Sequence, residues 1–136
     1  MNNIPPVEAT GKGKGSSILI VEDDPVLLHM YTEKFTFEGF NVLTAKDGDE
    51  ALKTALSQNV DIILLDIMLP RVSGTDFLEK FRQEPKGKVT PVIALTNLAE
   101  EEEKQRAIKL GVEVYLVKAM QTPEQVVETV KRCIKI

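Results

Sequence analysis

The stretch Asp61-Ile62-Ile63-Leu64-Leu65-Asp66 decides the fold. Four apolar residues in a row mean that both faces of the segment are covered, the pattern of a strand in the middle of a parallel sheet. Upstream, Ser17–Val21 is a second buried run, and Asn41–Ala45 a third. Between these two, Asp24 and Pro25 open a helix as N-cap and first-turn proline. Its apolar stripe runs Leu27, Tyr31 and Phe35 with Met30 beside it, and Gly39 ends it. Asp47 caps a second helix carrying Ala51, Leu52, Ala55 and Leu56. Downstream, Ser73-Gly74 introduces a third helix with Phe77, Leu78 and Phe81 inward. Residues 91–95 form a fourth strand, 98–110 a fourth helix stopped by Gly111, and 112–117 a fifth strand. The acidic residues 100–103 crowd the start of that fourth helix while Lys104, Arg106 and Lys109 lie later, as the helix dipole favours. Thr122-Pro123-Glu124-Gln125 is a capping box, and Val126, Val127, Val130, Cys133 and Ile134 then face the core.

Five strand–helix units in alternation call for an α/β, doubly wound parallel sheet with helices on both faces. The 136 residues suffice for one core without disulfides or metal staples. Residues 1–16 read as a flexible, solubilising leader in which Gly alternates with Lys, and 17–136 as the domain. Hydrophobic residues at 43% and charged residues at 28% exclude a disordered chain. Seventeen Lys and Arg against 21 Asp and Glu give a net charge of −4, too acidic for non-specific attraction to nucleic acid. A single cysteine, Cys133, excludes a disulfide framework and a multi-thiolate metal site, and is simplest as a small core residue. No apolar run has the length of a membrane span and no signal peptide precedes the domain, so the expected compartment is the cytoplasm.

In open parallel sheets the functional crevice lies beyond the carboxyl ends of the strands. Here the strands are followed by Glu22-Asp23-Asp24, by Asp66, by Thr96 and by Lys118. Each has an ordinary reading taken singly: Asp24 caps a helix, Asp66 caps a loop, Thr96 ends a strand, Lys118 is a surface lysine. Together, at successive strand ends, they describe a chemistry. If the first and third strands are neighbours, Glu22, Asp23 and Asp66 converge, and carboxylates in one cleft repel unless a cation or protons intervene. With one histidine and one cysteine in the chain, the natural cation is hard and oxygen-bound, and Mg²⁺ fits. The Lys118 ammonium and the Thr96 hydroxyl match a phosphoryl group, which a carboxylate can accept as an aspartyl phosphate.

The segments Ile18-Leu19-Ile20-Val21-Glu22-Asp23-Asp24, Asp61 to Pro70 with Ser73-Gly74, Ala94-Leu95-Thr96 and Tyr115-Leu116-Val117-Lys118 resemble the receiver domain of response regulators, over residues 17–136. The resemblance implies a flavodoxin-like sheet of order 2-1-3-4-5. It implies Asp66 as phosphoacceptor, Asp23 as direct Mg²⁺ ligand, Glu22 as a ligand through water, and the Met68 backbone carbonyl as a further ligand. It makes Thr96 and Lys118 the phosphate contacts and Tyr115 the aromatic switch that turns inward when the Thr96 hydroxyl is drawn to the phosphoryl group. The donor is then a sensor histidine kinase or a histidine phosphotransfer protein. The output is a protein target bound through the fourth helix, fifth strand and fifth helix, without direct contact to nucleic acid or membrane.

Two departures from the family pattern carry expectations. Ala119 stands where a cis-proline is usual, and a cis bond before a non-proline residue costs roughly 3–4 kcal/mol, so the Lys118–Ala119 bond is predicted to be trans. Asn97 follows Thr96 where a smaller residue is usual, which narrows access to the site. Met68 and Leu98 occupy the two positions where polar side chains orient an attacking water, so the phosphorylated form is expected to decay slowly. The chain reads as a stand-alone switch in a two-component phosphorelay, like a chemotaxis regulator and with no appended output domain, and not as an enzyme. Two alternatives remain. A Mg²⁺-dependent aspartyl-phosphate phosphohydrolase requires a second acid two residues after the nucleophile, where this chain has Met68. A pseudo-receiver that only binds partners would be favoured by loss of an acidic, Thr or Lys position, and none is lost. A nucleotide- or flavin-binding protein is weaker still, since no Gly-rich loop follows the first strand. His29 reads as an exposed helical residue and not as a phosphocarrier.

Overall fold

In the computed structural model, which describes residues 15–97 and 101–134, the run Ile62–Leu65 is the central strand β3, and all four of its side chains are buried. It pairs in parallel with β1 (Ser17–Val21) on one side and with β4 (Val92–Thr96) on the other. Beyond these lie β2 (Asn41–Ala45) and β5 (Val114–Val117), giving the order β2-β1-β3-β4-β5. The helices are α1 (Pro25–Phe37), α2 (Gly48–Ser57), α3 (Gly74–Phe81), α4 (Glu101–Lys109) and α5 (Pro123–Cys133). This is the flavodoxin-like, doubly wound α/β arrangement.

Alternation along the strands divides the core in two. Leu19, Val21, Ile63 and Leu65 pack with Ala51, Ala55, Phe77, Leu78, Phe81 and Ala107, so α2, α3 and α4 cover one face. Ile18, Ile20, Ile62 and Leu64 pack with Tyr31, Phe35, Phe40, Val126, Val127 and Val130, so α1 and α5 cover the other. Each fully buried Ile, Leu or Phe contributes about 1.5–3 kcal/mol of transfer free energy, which is why β3 tolerates no polar residue on either face. Cys133 is half-buried against the second cluster, as its place in the α5 stripe predicts.

The caps are those the sequence predicts. The Asp24 side chain accepts from the backbone N–H of Val26 and Leu27, Asp47 from Glu50, Ser73 from Asp76, and Thr122 forms a capping box with Gln125. Gly39 takes a φ of 97° just past α1, in the left-handed region that favours glycine.

The boundaries shift for local reasons. β3 starts at Ile62 because the Asp61 carboxylate turns to accept the Ser17 N–H at 2.8 Å. β4 begins after Pro91, which has no N–H to pair, and runs one residue further to Thr96, opposite Val117. β5 begins at Val114 because the Val112 N–H closes the end of α4 on Ala107 O. α4 begins at Glu101; residues 98–100, including Leu98, lie outside the described residues, as does the leader up to residue 14. Two short 3-10 turns, Lys86–Lys88 and Lys118–Met120, were not predicted. The Lys118–Ala119 bond is trans, there being no cis peptide bond among the described residues. Among the described residues no helix is long and apolar enough to cross a membrane.

Candidate active site

The site is built by the backbone ladder before any side chain is considered. The Glu22 N–H donates to Ala45 O and the Asp66 N–H donates to Val21 O, each at 3.0 Å. The first bond ties the end of β1 to β2, and the second sets Asp66, the first residue past β3, beside the end of β1 and so beside Glu22. The carboxylates of Glu22, Asp23 and Asp66 then offer oxygens that lie within 4.8 Å of one another, with Glu22 and Asp66 buried and Asp23 exposed.

Lys118 enters from the end of β5. Its ammonium donates to Asp66 Oδ2 at 2.7 Å and lies 2.6 Å from Glu22 Oε1, with only 12% of the side chain exposed. The second oxygen of each buried acid is held by a backbone N–H two residues on. Asp24 N donates to Glu22 Oε2 at 3.0 Å and Met68 N to Asp66 Oδ1 at 2.9 Å. Both acids are therefore fixed in direction as well as in place. Burial pushes the Glu22 carboxyl up, and the Lys118 and Asp24 hydrogen bonds offset only part of that. Burial works against the Lys118 ammonium too, but its hydrogen bonds to Asp66 and Glu22 outweigh it and hold the group above its usual value.

Three carboxylates against one ammonium leave the cluster with two uncompensated negative charges. The donors are all hard oxygens, and neither a thiolate nor an imidazole is among them. That donor set fits Mg²⁺. At the end of β4, the Thr96 hydroxyl oxygen is buried and has no hydrogen-bond partner among the described residues. A buried hydroxyl without a partner costs about 1–3 kcal/mol, so its retention at the edge of this cluster calls for a ligand that uses it.

The structure therefore brings Glu22, Asp23, Asp66 and Lys118 together and sets Thr96 on the adjoining strand. Met68 contributes its N–H to Asp66, and its side chain is half exposed. Tyr115 is half-buried on β5 against the α2–α4 side of the core, with Lys104 Nζ 5.5 Å from its ring centroid. His29 is exposed and pairs with Glu33 one turn on, outside the acidic cluster. Asn97 is exposed beyond Thr96. One element near the site was passed over in the sequence. The end of β2 places Thr44 and Lys46 with Asp23, Leu28, His29 and Thr32 around a shallow cleft beside the acids. The lysine following that strand was the available signal.

Comparison with known proteins agrees with this geometry. The sequence profile of the response regulator receiver domain matches residues 18–131. The probable transcriptional regulatory protein TcrX of Mycobacterium tuberculosis is 37% identical over 114 residues, covering 84% of this chain and 48% of that protein. The transcriptional regulatory protein CpxR of Escherichia coli is 39% identical over 111 residues, covering 82% of this chain and 46% of that protein. The chain thus spans about half the length of the curated relatives it matches. Among solved structures, the chemotaxis protein CheY4 of Vibrio cholerae superposes with a TM-score of 0.81 at 31% identity, covering 88% of this chain and 99% of that one. The receiver domain of the sensor histidine kinase PA1611 of Pseudomonas aeruginosa superposes at 0.78 with 30% identity, covering 87% and 95%, and holds a magnesium ion in its active-site cleft. With a fold, an acidic cleft and a sequence profile that coincide over the same residues, this chain belongs to the response regulator receiver domain family of two-component systems.

Proposed function

We propose that the chain is a phosphorylation-controlled switch in which Asp66 accepts a phosphoryl group from a phosphohistidine of a sensor histidine kinase or histidine phosphotransfer protein. The observation that carries this reading is the pairing of a buried, direction-locked Asp66 with the Lys118 ammonium, beside a Thr96 hydroxyl that has no partner among the described residues. An Asp66 carboxylate oxygen attacks phosphorus. The new P–O bond forms as the P–N bond to the donor imidazole breaks, and the bonding pair stays on the imidazole nitrogen, which takes a proton from water. Asp23, Asp66 and the Met68 carbonyl would hold Mg²⁺ directly in this reading, and Glu22 would hold it through water. Bound there, Mg²⁺ supplies positive charge to the phosphoryl oxygens.

Lys118 has three N–H donors and spends two of them on Asp66 and Glu22, so the third is available to a phosphoryl oxygen. The Thr96 hydroxyl donates to another, which satisfies the buried atom for the first time. Movement of Thr96 toward the phosphoryl group makes room for Tyr115 to turn inward, and the surface formed by α4, β5 and α5 changes for a protein target. The net charge of −4 gives the domain no field for a nucleic-acid backbone, which supports output through protein contacts.

Receiver domains are signalling modules, and a turnover phosphohydrolase is disfavoured here by Met68, which offers no acid or base two residues after Asp66. The test is incubation with acetyl phosphate in magnesium buffer, read by intact mass. The wild type is expected to gain one phosphoryl group and Asp66→Ala none. Steady release of phosphate over many turnovers would support the hydrolase instead. A wild type that stays unlabelled, with chelator or without, would favour a pseudo-receiver.

A further inference from the structure

The helix α4 is held in an unusual way. Ala107 is its only buried residue, and its remaining anchors are polar or charged. On one flank, Glu103 accepts from the Thr75 hydroxyl, and Arg106 Nη1 donates to the same oxygen at 3.1 Å. Arg106 Nη2 bridges Asp76 at 2.9 Å and also pairs with Glu79. Thr75, Asp76 and Glu79 all belong to α3, and Thr75 is completely buried. On the other flank, Lys104 lies over the Tyr115 ring.

The start of α3 is in turn locked to the acceptor loop. Gly74 N donates to Ile67 O at 3.0 Å. The packing there is so close that a Cβ on Gly74 would sit 2.5 Å from Asp66 O and 2.7 Å from Ile67 Cα. Thr75 is therefore one residue from backbone that packs directly against the Asp66 and Ile67 backbone. A rigid path of packed and hydrogen-bonded groups runs from the acceptor backbone through Gly74 and Thr75 to Glu103 and Arg106 on α4.

We infer that Glu103 and Arg106 are positioning residues that latch α4 onto α3 in the unphosphorylated conformation, and that this latch sets how readily Asp66 is modified. The inference rests on the phosphorylation reading above. Inward rotation of Tyr115 would remove the partner of Lys104, and α4 then shifts only when the Thr75–Glu103–Arg106 flank also lets go. An interaction made in one of two conformations biases the equilibrium against the other by its own free energy, and any ligand favouring the second conformation binds less tightly by the same factor.

The test uses beryllofluoride in magnesium buffer as a phosphoryl analogue on the full chain, with binding read from the Tyr115 ring resonances and stability from urea unfolding. Arg106→Met keeps the stem and removes the fork, and Thr75→Val removes the shared hydroxyl. Each is expected to bind beryllofluoride about threefold to fivefold more tightly than wild type, the size of a partly exposed ion pair. Arg106→Lys, which keeps the charge without the planar fork, is expected to fall between. Unchanged or weaker binding in both Arg106→Met and Thr75→Val, with a lowered urea midpoint, shows a merely structural contact and overturns the latch alone. A wild type that binds no beryllofluoride overturns the phosphorylation reading, and the latch with it.

Discussion

The helices α5 and α4 flank the same strand, β5, yet they are attached by different physics. α5 buries Val126, Val127, Thr129 and Val130 and begins with a complete capping box. It shares its face of the sheet with Tyr31 and Phe35 of α1, and two cross-links, Lys34 to Glu124 and Lys131 to Glu38, tie α5 to α1 and the residue that caps it. α4 buries Ala107 and depends on Glu103, Lys104 and Arg106 for its remaining hold. Displacing α5 exposes apolar area and costs several kcal/mol. Displacing α4 exchanges partly exposed polar contacts for water, each contributing about 0–1 kcal/mol. The fold thus supplies one rigid flank and one movable flank, and the movable one lies next to Tyr115.

The largest expected effect tests the apolar layer that the rigid flank α5 shares with α1. Phe35 is fully buried and packs edge-on against Phe40, with ring centroids 5.1 Å apart. Phe35→Ala is expected to lower unfolding free energy by about 3–5 kcal/mol in urea titration. Arg106→Ala is expected to cost below about 1 kcal/mol in the same assay. Equal losses would erase the contrast between the two flanks.

The next effect concerns the acidic cluster between them. Mg²⁺ at about ten times its dissociation constant is expected to stabilise the protein by about 1.4 kcal/mol. A chelator would remove that gain, and Asp23→Asn would abolish the response. Thermal unfolding with and without the ion measures it. A response that survives in Asp23→Asn places the ion elsewhere.

At most as large in free energy is the effect on the lifetime of the phosphorylated form. Met68→Asn puts a polar group beside Asp66, where the native side chain is apolar and half exposed. It is expected to hasten loss of the phosphoryl group severalfold, up to about tenfold or 1.4 kcal/mol of barrier. Intact-mass decay curves read this directly, and an unchanged lifetime would separate water access from the character of residue 68.

The smallest effect sharpens the comparison most. At about 1 M salt, where the screening length falls to about 3 Å, amide exchange is expected to quicken in α4 and stay constant in α5. Equal responses in the two helices would show that α4 is held by burial after all.

Much of this architecture was legible beforehand because its signals are local. Ile62–Leu65 announces a doubly covered strand through its own composition, and Asp24-Pro25, Asp47, Ser73 and Thr122 mark helix starts within one turn of themselves. The position of Asp66, Thr96 and Lys118 at strand ends follows from the same local reading. The extra residue of β4 was less legible because it depends on Val117 lying opposite, and the late start of β5 because the end of α4 takes the Val112 N–H.

The sequence by itself determined the five strand–helix units, the caps and which acids stand at the crevice, because burial and backbone satisfaction are decided over a few residues at a time. Only the tertiary structure decided that Lys118 serves Glu22 and Asp66 together, that the Thr96 hydroxyl has no partner among the described residues, and that Thr75 is shared by Glu103 and Arg106. Such partners lie 28 to 52 residues apart in the chain for the Thr75–Glu103 and Lys118–Asp66 pairs. Nothing in local propensity selects among distant polar groups. The choice is made when the sheet closes its register and the helices pack, because a hydrogen bond depends on distance and direction set by the whole fold.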